Sequence, residues 1–124
     1  MQDHRKLRVW WAAHRLSGEL HDLMEELPRI RVPGLRSQLL RAASSVPSNI
    51  VEGCGTSSPK EFARYLDMSL KSVKELEYHL LRLHEAGYIG RTKYLRLDAK
   101  ITNVRRQLYS FTQAVRRRKD KDEQ

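Results

Sequence analysis

Apolar residues recur along most of this chain at intervals of three and four, the repeat that lines one face of an α-helix. Trp10, Ala13, Ser17, Leu20, Met24 and Leu27 follow that spacing, and Val9, Leu16 and Leu23 make the stripe broader than a two-stranded coiled-coil seam. Pro28 and the Pro33–Gly34 pair close the segment and turn the chain. A second stripe runs through Leu35, Leu39, Ala42, Val46, Ile50 and Gly53, with Gly53 and Gly55 placed to end it as C-cap glycines. The third segment opens at SSPKE: Ser58 is expected as N-cap, Pro59 as the first helical residue, and Glu61 as the acid reaching back to the cap amide. Its stripe continues through Phe62, Leu66, Ser69, Val73, Leu76, Leu80 and Leu83 to a stop at Gly87. That is a rod of about 40–45 Å. The fourth follows a turn around Tyr88–Gly90 and carries Tyr94, Leu97, Ile101, Val104, Leu108, Phe111 and Val115. Four amphipathic helices with short connections and no convincing strand predict an all-α fold, an antiparallel up-down four-helix bundle.

The stretch SVPSNIVEG, residues 45–53, places a proline and several polar groups where an apolar face should continue. Pro47 removes one backbone hydrogen bond and crowds the carbonyl of Ala43, so a kink, or a break into two helices, is expected there. Asn49 and Glu52 flank the second stripe, Ser69 interrupts the third, and Ser72 lies beside it. An unpaired buried polar group costs about 1–3 kcal/mol. These residues are therefore expected to meet across helices, with Arg41, in a polar network of Arg41, Asn49, Glu52, Ser69 and Ser72 that sets register and does no catalysis.

Charge changes the picture at one end of the chain. Of a net +9, residues 1–90 supply only +2 (13 Lys/Arg against 11 Asp/Glu), whereas residues 91–124 supply +7 (11 against 4). Such an asymmetry points to a polyanionic partner, nucleic acid above all. The candidate phosphate contacts are Arg96, Lys100, Arg105 and Arg106, away from the stripe of the fourth helix, followed by Arg116, Arg117, Arg118 and Lys119. Residues 1–115 form the expected bundle domain and 116–124 a basic tail expected to be disordered. With no RRM, KH or zinc-finger signature, binding would rest on the phosphate backbone and depend steeply on salt. Trp11, Tyr78, Leu81, Leu95 and Tyr109 fall on outer faces, where the neighbouring Tyr78 and Leu81 suit a subunit contact. No apolar run approaches the roughly 18 residues of a membrane span. The opening MQDHRKLRVWWAA lacks the apolar core of a signal peptide, and the single Cys54 permits no internal disulfide. A cytoplasmic protein is expected.

Catalytic and metal chemistry find little support. Bundle di-iron sites use Glu-x-x-His pairs, but Gly18, Leu76 and Leu81 stand three before His21, His79 and His84. His14 and His21 share a helix face without a supporting carboxylate, and Glu75 and His79 read as a surface pair. Cys54 lies between glycines with no base named beside it, and GCG lacks the lysine and spacing of a phosphate loop. No enzyme activity, metal or cofactor is expected.

RKLRVWWAAHRL at 5–16, LRSQLLRAASSVPSNIVEG at 35–53 and SPKEFARYLDMSLKSVKELEYHL at 58–80 together resemble the four-helix-bundle proteins encoded in 23S rRNA intervening sequences. The RAAxSxPSNIxEG core followed by KEFxRYL and SxxELE carries the resemblance over roughly residues 5–90, while the fourth helix matches only in pattern. The fold is also similar to that of the accessory variability proteins of diversity-generating retroelements, basic pentameric barrels that bind nucleic acid and a reverse transcriptase. The resemblance implies a non-enzymatic homo-oligomer, a ring of five, that binds RNA or DNA and partners a reverse transcriptase. The alternative it allows is a protein-interaction scaffold with no direct nucleic-acid contact. Family members often carry an arginine after the second glycine of the EG-x-G loop, where this chain has Thr56.

Overall fold

Each of the four stripes becomes a helix that turns its apolar face inward. The computed structural model describes residues 1–118: a short 3-10 turn at His4–Lys6, then α1 (Arg8–Glu26), α2 (Leu35–Cys54), α3 (Pro59–Glu85) and α4 (Arg91–Arg116). The helices surround one core, with Leu20, Leu39, Ile50, Leu66, Leu80, Ile101 and Leu108 fully enclosed. α2 and α3 share the most extensive contact, α4 packs on α3, and α1 closes the ring against α2 and α4.

The register of these packings is visible in single contacts. Gln2 N–H donates to the Cys54 carbonyl at 3.0 Å near one end of α1 and α2, and Arg36 Nη1 to the Met24 carbonyl at 2.7 Å near the other. Ser69 meets Val46, and Arg82 meets Gln38. Phe62 packs edge-to-face on Phe111, while Glu77 pairs with Arg105. Within each helix pair the numbering falls along one helix as it rises along the next.

The turns follow from their residues. Pro33 and Gly34 form a turn closed by Leu35 N–H on the Val32 carbonyl at 3.2 Å, with Gly34 at φ +74°, a value that favours glycine. Ser58 accepts from Glu61 N–H at 3.2 Å and Pro59 follows it, as expected. The Glu61 carboxylate, however, turns to Arg64 at 2.6 Å instead of the cap amide, so only half of the capping box forms. Gly87 at φ +88° ends α3, with Gly87 N–H on His84 and Tyr88 N–H on Leu83 in a Schellman arrangement.

Of the kink or break expected at Pro47, the break does not occur, and the role expected of Gly53 changes. α2 does not break at Pro47; it is helical from Leu35 to Cys54 with the proline buried inside it. The missing N–H costs one hydrogen bond, but the apolar face on either side stays packed. Gly53 does not end the helix. It lies within it and buried, and a Cβ there would stand 2.8 Å from Phe62 Cδ1 and 3.1 Å from Tyr65 Cβ. The glycine exists to let α3 approach. Gly55 does cap α2, as expected, but at φ −82° and not in the left-handed region; Thr56 covers the Gly53 carbonyl with both its N–H and its hydroxyl.

Gly53→Ala is therefore expected to destabilise the fold by about 1–3 kcal/mol despite the better helix former, because a buried ring and a rigid Cβ must move. Gly18→Ala, on the exposed side of α1 with nothing within 4 Å, should instead stabilise by up to ~1 kcal/mol. Urea unfolding of the two variants checks both signs, and a neutral Gly53→Ala would remove the close-approach role.

Candidate nucleic-acid interface

α4 presents its cations on two flanks and an outer face, set by the angular position of each residue around the helix. On the α1 flank, Arg96 Nη1 and Lys100 Nζ grip the two oxygens of Glu19 at 2.6 and 2.8 Å. On the α3 flank, Arg105 Nε meets Glu77 at 3.0 Å, with Lys74 3.7 Å from the other oxygen of the same carboxylate. Arg116, expected in the tail, is instead the last residue of α4 and pairs with Asp67. Four of the eight expected phosphate contacts thus already hold carboxylates from α1 and α3. The Lys100 ammonium, with the Arg96 guanidinium, keeps the Glu19 carboxyl below its ordinary value of 4.5 against the opposing push of burial.

Arg106, Arg117 and Arg118 make no ion pair among the described residues. Arg106 and Arg117 are exposed, and with Tyr109, Ser110 and Gln113 they share the stripe of α4 opposite its buried residues. Arg118 lies over the Phe111 ring at 5.8 Å. Lys119 lies outside the described residues, as does most of the expected disordered tail.

The polar residues of α2 and α3 mostly bond within their own helices. Asn49 Nδ2 donates to the Ser45 carbonyl at 2.9 Å, Ser72 Oγ to the Met68 carbonyl at 3.2 Å, and Arg41 and Glu52 are exposed. Ser69 alone of the five reaches across: fully buried, its hydroxyl donates to the Val46 carbonyl at 2.8 Å. The acceptor is backbone, which a search for side-chain partners misses. The Glu19, Glu77 and Asp67 partners were equally invisible, since nothing in the sequence marks which distant acid a helix-four cation will meet.

Other chemistry is held in the fold. Burial, with a contribution from the Asp3 carboxylate, pushes the Cys54 thiol up to about 11, far from a thiolate at neutral pH. His21 Nδ1 donates to the Ser17 carbonyl, and His84 Nδ1 to the Ile89 carbonyl while its ring stacks on Tyr94. His79 is not the surface residue that its pairing with Glu75 suggested. Its side chain is 6% exposed, at the edge of the α3 stripe, with Glu75 3.4 Å away. Trp11, Tyr78, Leu95 and Tyr109 are exposed as expected, but Leu81 is half-buried. Among the described residues no group of three or more His, Cys, Asp or Glu side chains could hold a metal, and no helix is long and apolar enough to cross a membrane.

Residues 5–110 match the model of the 23S rRNA-intervening sequence protein family. The fold is similar to the crystal structure of a protein of unknown function from the S23 ribosomal protein family of Bacteroides thetaiotaomicron. The two share 25% identity, covering 84% of this chain and 97% of that one, with a TM-score of 0.75. No curated protein matches the sequence.

The site generates two checks. A carboxyl with a depressed folded-state pKa adds stability that is present above its unfolded value and is lost as pH falls through the folded one. Glu19→Gln should thus cost less than about 1 kcal/mol at neutral pH, as a partly exposed pair does, and nothing in strong acid. Urea melts at both pH values decide; an equal loss at each would mean that the charge pairing is not the cause. Cys54 should react with a thiol reagent only after denaturant unfolds the bundle, and fast labelling of the native protein would contradict its burial.

Proposed function

Because the chain belongs to the 23S rRNA-intervening sequence protein family, we propose for it a role as a non-enzymatic, homo-oligomeric nucleic-acid-binding bundle of the cytoplasm. Its contacts are to the phosphate backbone of RNA or DNA, made by the outer face of α4 and the arginines that follow. The observation that carries this reading is the division of the α4 cations. Four are tied to carboxylates, whereas Arg106 and Arg117 are exposed on one stripe and pair with no acid among the described residues. An unpaired guanidinium gains a phosphate without giving up a carboxylate, and its planar fork suits two phosphate oxygens at once. The charge of residues 91–124, +7 from 11 basic and 4 acidic residues, supports the same partner.

Assembly multiplies a weak surface. Each copy repeats the same arginine stripe, and linking several such stripes raises overall affinity without any new contact. By analogy with the pentameric retroelement proteins, the proposed assembly is a ring of five. With a reverse transcriptase encoded nearby, the same ring would act as that enzyme's accessory.

Fluorescence anisotropy with structured RNA and with duplex DNA, over a series of salt concentrations, tests the reading on a sample whose mass is fixed by sedimentation. The intact protein should bind with a steep salt slope. Replacing both Arg106 and Arg117 by alanine should flatten that slope by about 1.4–1.8 units, two phosphate contacts' worth. Replacing Arg96 and Lys100 should change it less. Absence of binding at low salt would overturn the reading and leave an acidic protein partner as the occupant of this surface.

A further inference from the structure

Three tryptophan or tyrosine rings stand exposed among the described residues: Trp11, Tyr78 and Tyr109. Two are already covered. Arg15 lies over Trp11 at 5.7 Å and Trp10 meets its edge, while Arg82 lies over Tyr78 at 5.7 Å. Tyr109, 57% exposed, has no aromatic or cationic ring partner among the described residues. Its phenol oxygen accepts from Gln113 Nε2 at 3.3 Å, one turn further along α4, which steadies the ring while leaving its faces open.

The ring borders a groove of about 510 Å³ between α3 and α4, shared with Leu70, Lys74, Arg105, Arg106 and Ser110. That size falls within the roughly 300–1,000 Å³ of small-molecule pockets. Leu70 is half-buried against the core and gives the groove an apolar wall. The two basic residues at its α3 side, Lys74 and Arg105, are engaged by Glu77. Among the described residues, positive charge without an ion pair is found along the ridge at Arg106 and at Arg117, the residue that caps α4, eleven residues on, or about 16 Å along the helix axis.

A ridge of unpaired cations beside an open aromatic face and an apolar groove is what a single strand requires. Its phosphates need charge in a line, and its unstacked bases need a flat ring and a dry wall. A duplex satisfies the first need but keeps its bases stacked on one another, out of reach of a side chain on a convex helix. We propose that the α3–α4 groove is a single-strand nucleic-acid site. Arg106 at its edge and Arg117 further along the ridge hold phosphates, and Tyr109 stacks one unpaired base against the Leu70 side of the groove. The proposal rests on the nucleic-acid reading above and adds to it a preference for unpaired strands and the residue that confers it.

Anisotropy titrations with a mixed-sequence 12-nucleotide strand, as RNA and as DNA, and with the corresponding duplex test it on the intact protein. Tyr109→Ala should weaken single-strand binding by about tenfold with an unchanged salt slope, and should leave duplex binding within twofold. Tyr109→Phe should keep the single-strand affinity. Equal loss on RNA and DNA would place the contact on the base and not on the sugar. Tyr109 is largely exposed, and thermal melts should confirm that both variants fold. Tight duplex binding with single-strand affinity untouched by Tyr109→Ala would overturn this proposal while leaving the phosphate-binding reading intact. Failure of the intact protein to bind any of these probes would overturn both.

Discussion

The closeness of α2 to α3 governs the placement of everything else. At Gly53 the missing Cβ makes room for the Phe62 ring and the Tyr65 Cβ, and any larger residue would push the two helices apart. Seven residues along α3 from Phe62, Ser69 donates from a fully buried position to the Val46 carbonyl and fixes the slide of one helix along the other. Phe62, seated by Gly53, then packs edge-to-face on Phe111 with ring centres 5.6 Å apart. The position of α4 is therefore inherited from a glycine on α2, two contacts away. The outer stripe of α4 inherits its orientation by the same route.

Folding also redistributes charge. The acids of residues 1–90 nearly balance the bases there, and the excess at the C-terminal end looks like one continuous basic surface. In the bundle, Glu19, Glu77 and Asp67 come from that balanced part of the chain and settle on the flanks of α4. An exposed pair of this kind is worth little to stability, about 0–1 kcal/mol. Its larger consequence is for the proposed recognition of a polyanion: four of the eight candidate cations would first have to release a carboxylate. What is left is narrower and better defined than the net charge implies.

The sequence made the helices legible because burial imposes a period on side chains that local spacing reveals. The apolar positions expected on α2 and α3, and Ser69 among them, are all buried. Ser58 and Gly87 were legible for a different reason, since cap geometry restricts residue type at a single position. Gly53 was not, because a helix-ending glycine and a close-approach glycine are the same letter. His79 looked like a surface partner of Glu75 because a position at the edge of a stripe is buried or exposed according to how near the next helix lies. The Ser69 acceptor, the carboxylates on α4 and the open face of Tyr109 depend on which distant segments meet. That is a tertiary fact with no local signature.

The interior is occupied with holding itself together. Ser69 and Thr112 donate to carbonyls, His79 sits beside Glu75, and the Cys54 thiol is held far from ionisation. Trp10 Nε1 is the one buried side-chain polar atom without a partner among the described residues, and its ring packs against His4 and His14. Recognition then has to be sought on the outside, where each helix offers the residues its core stripe leaves over. On α4 that remainder has a fixed geometry. Leu97, Ile101, Val104, Leu108 and Val115 must face inward, so positions 106, 109, 113 and 117 must face outward together. The packing requirement that aims the leucines also aligns two arginines and a tyrosine, and a rigid helix holds them at that spacing before any ligand arrives. The proposed binding there would cost little ordering of the protein backbone, a condition under which even a few phosphate and stacking contacts would yield measurable affinity.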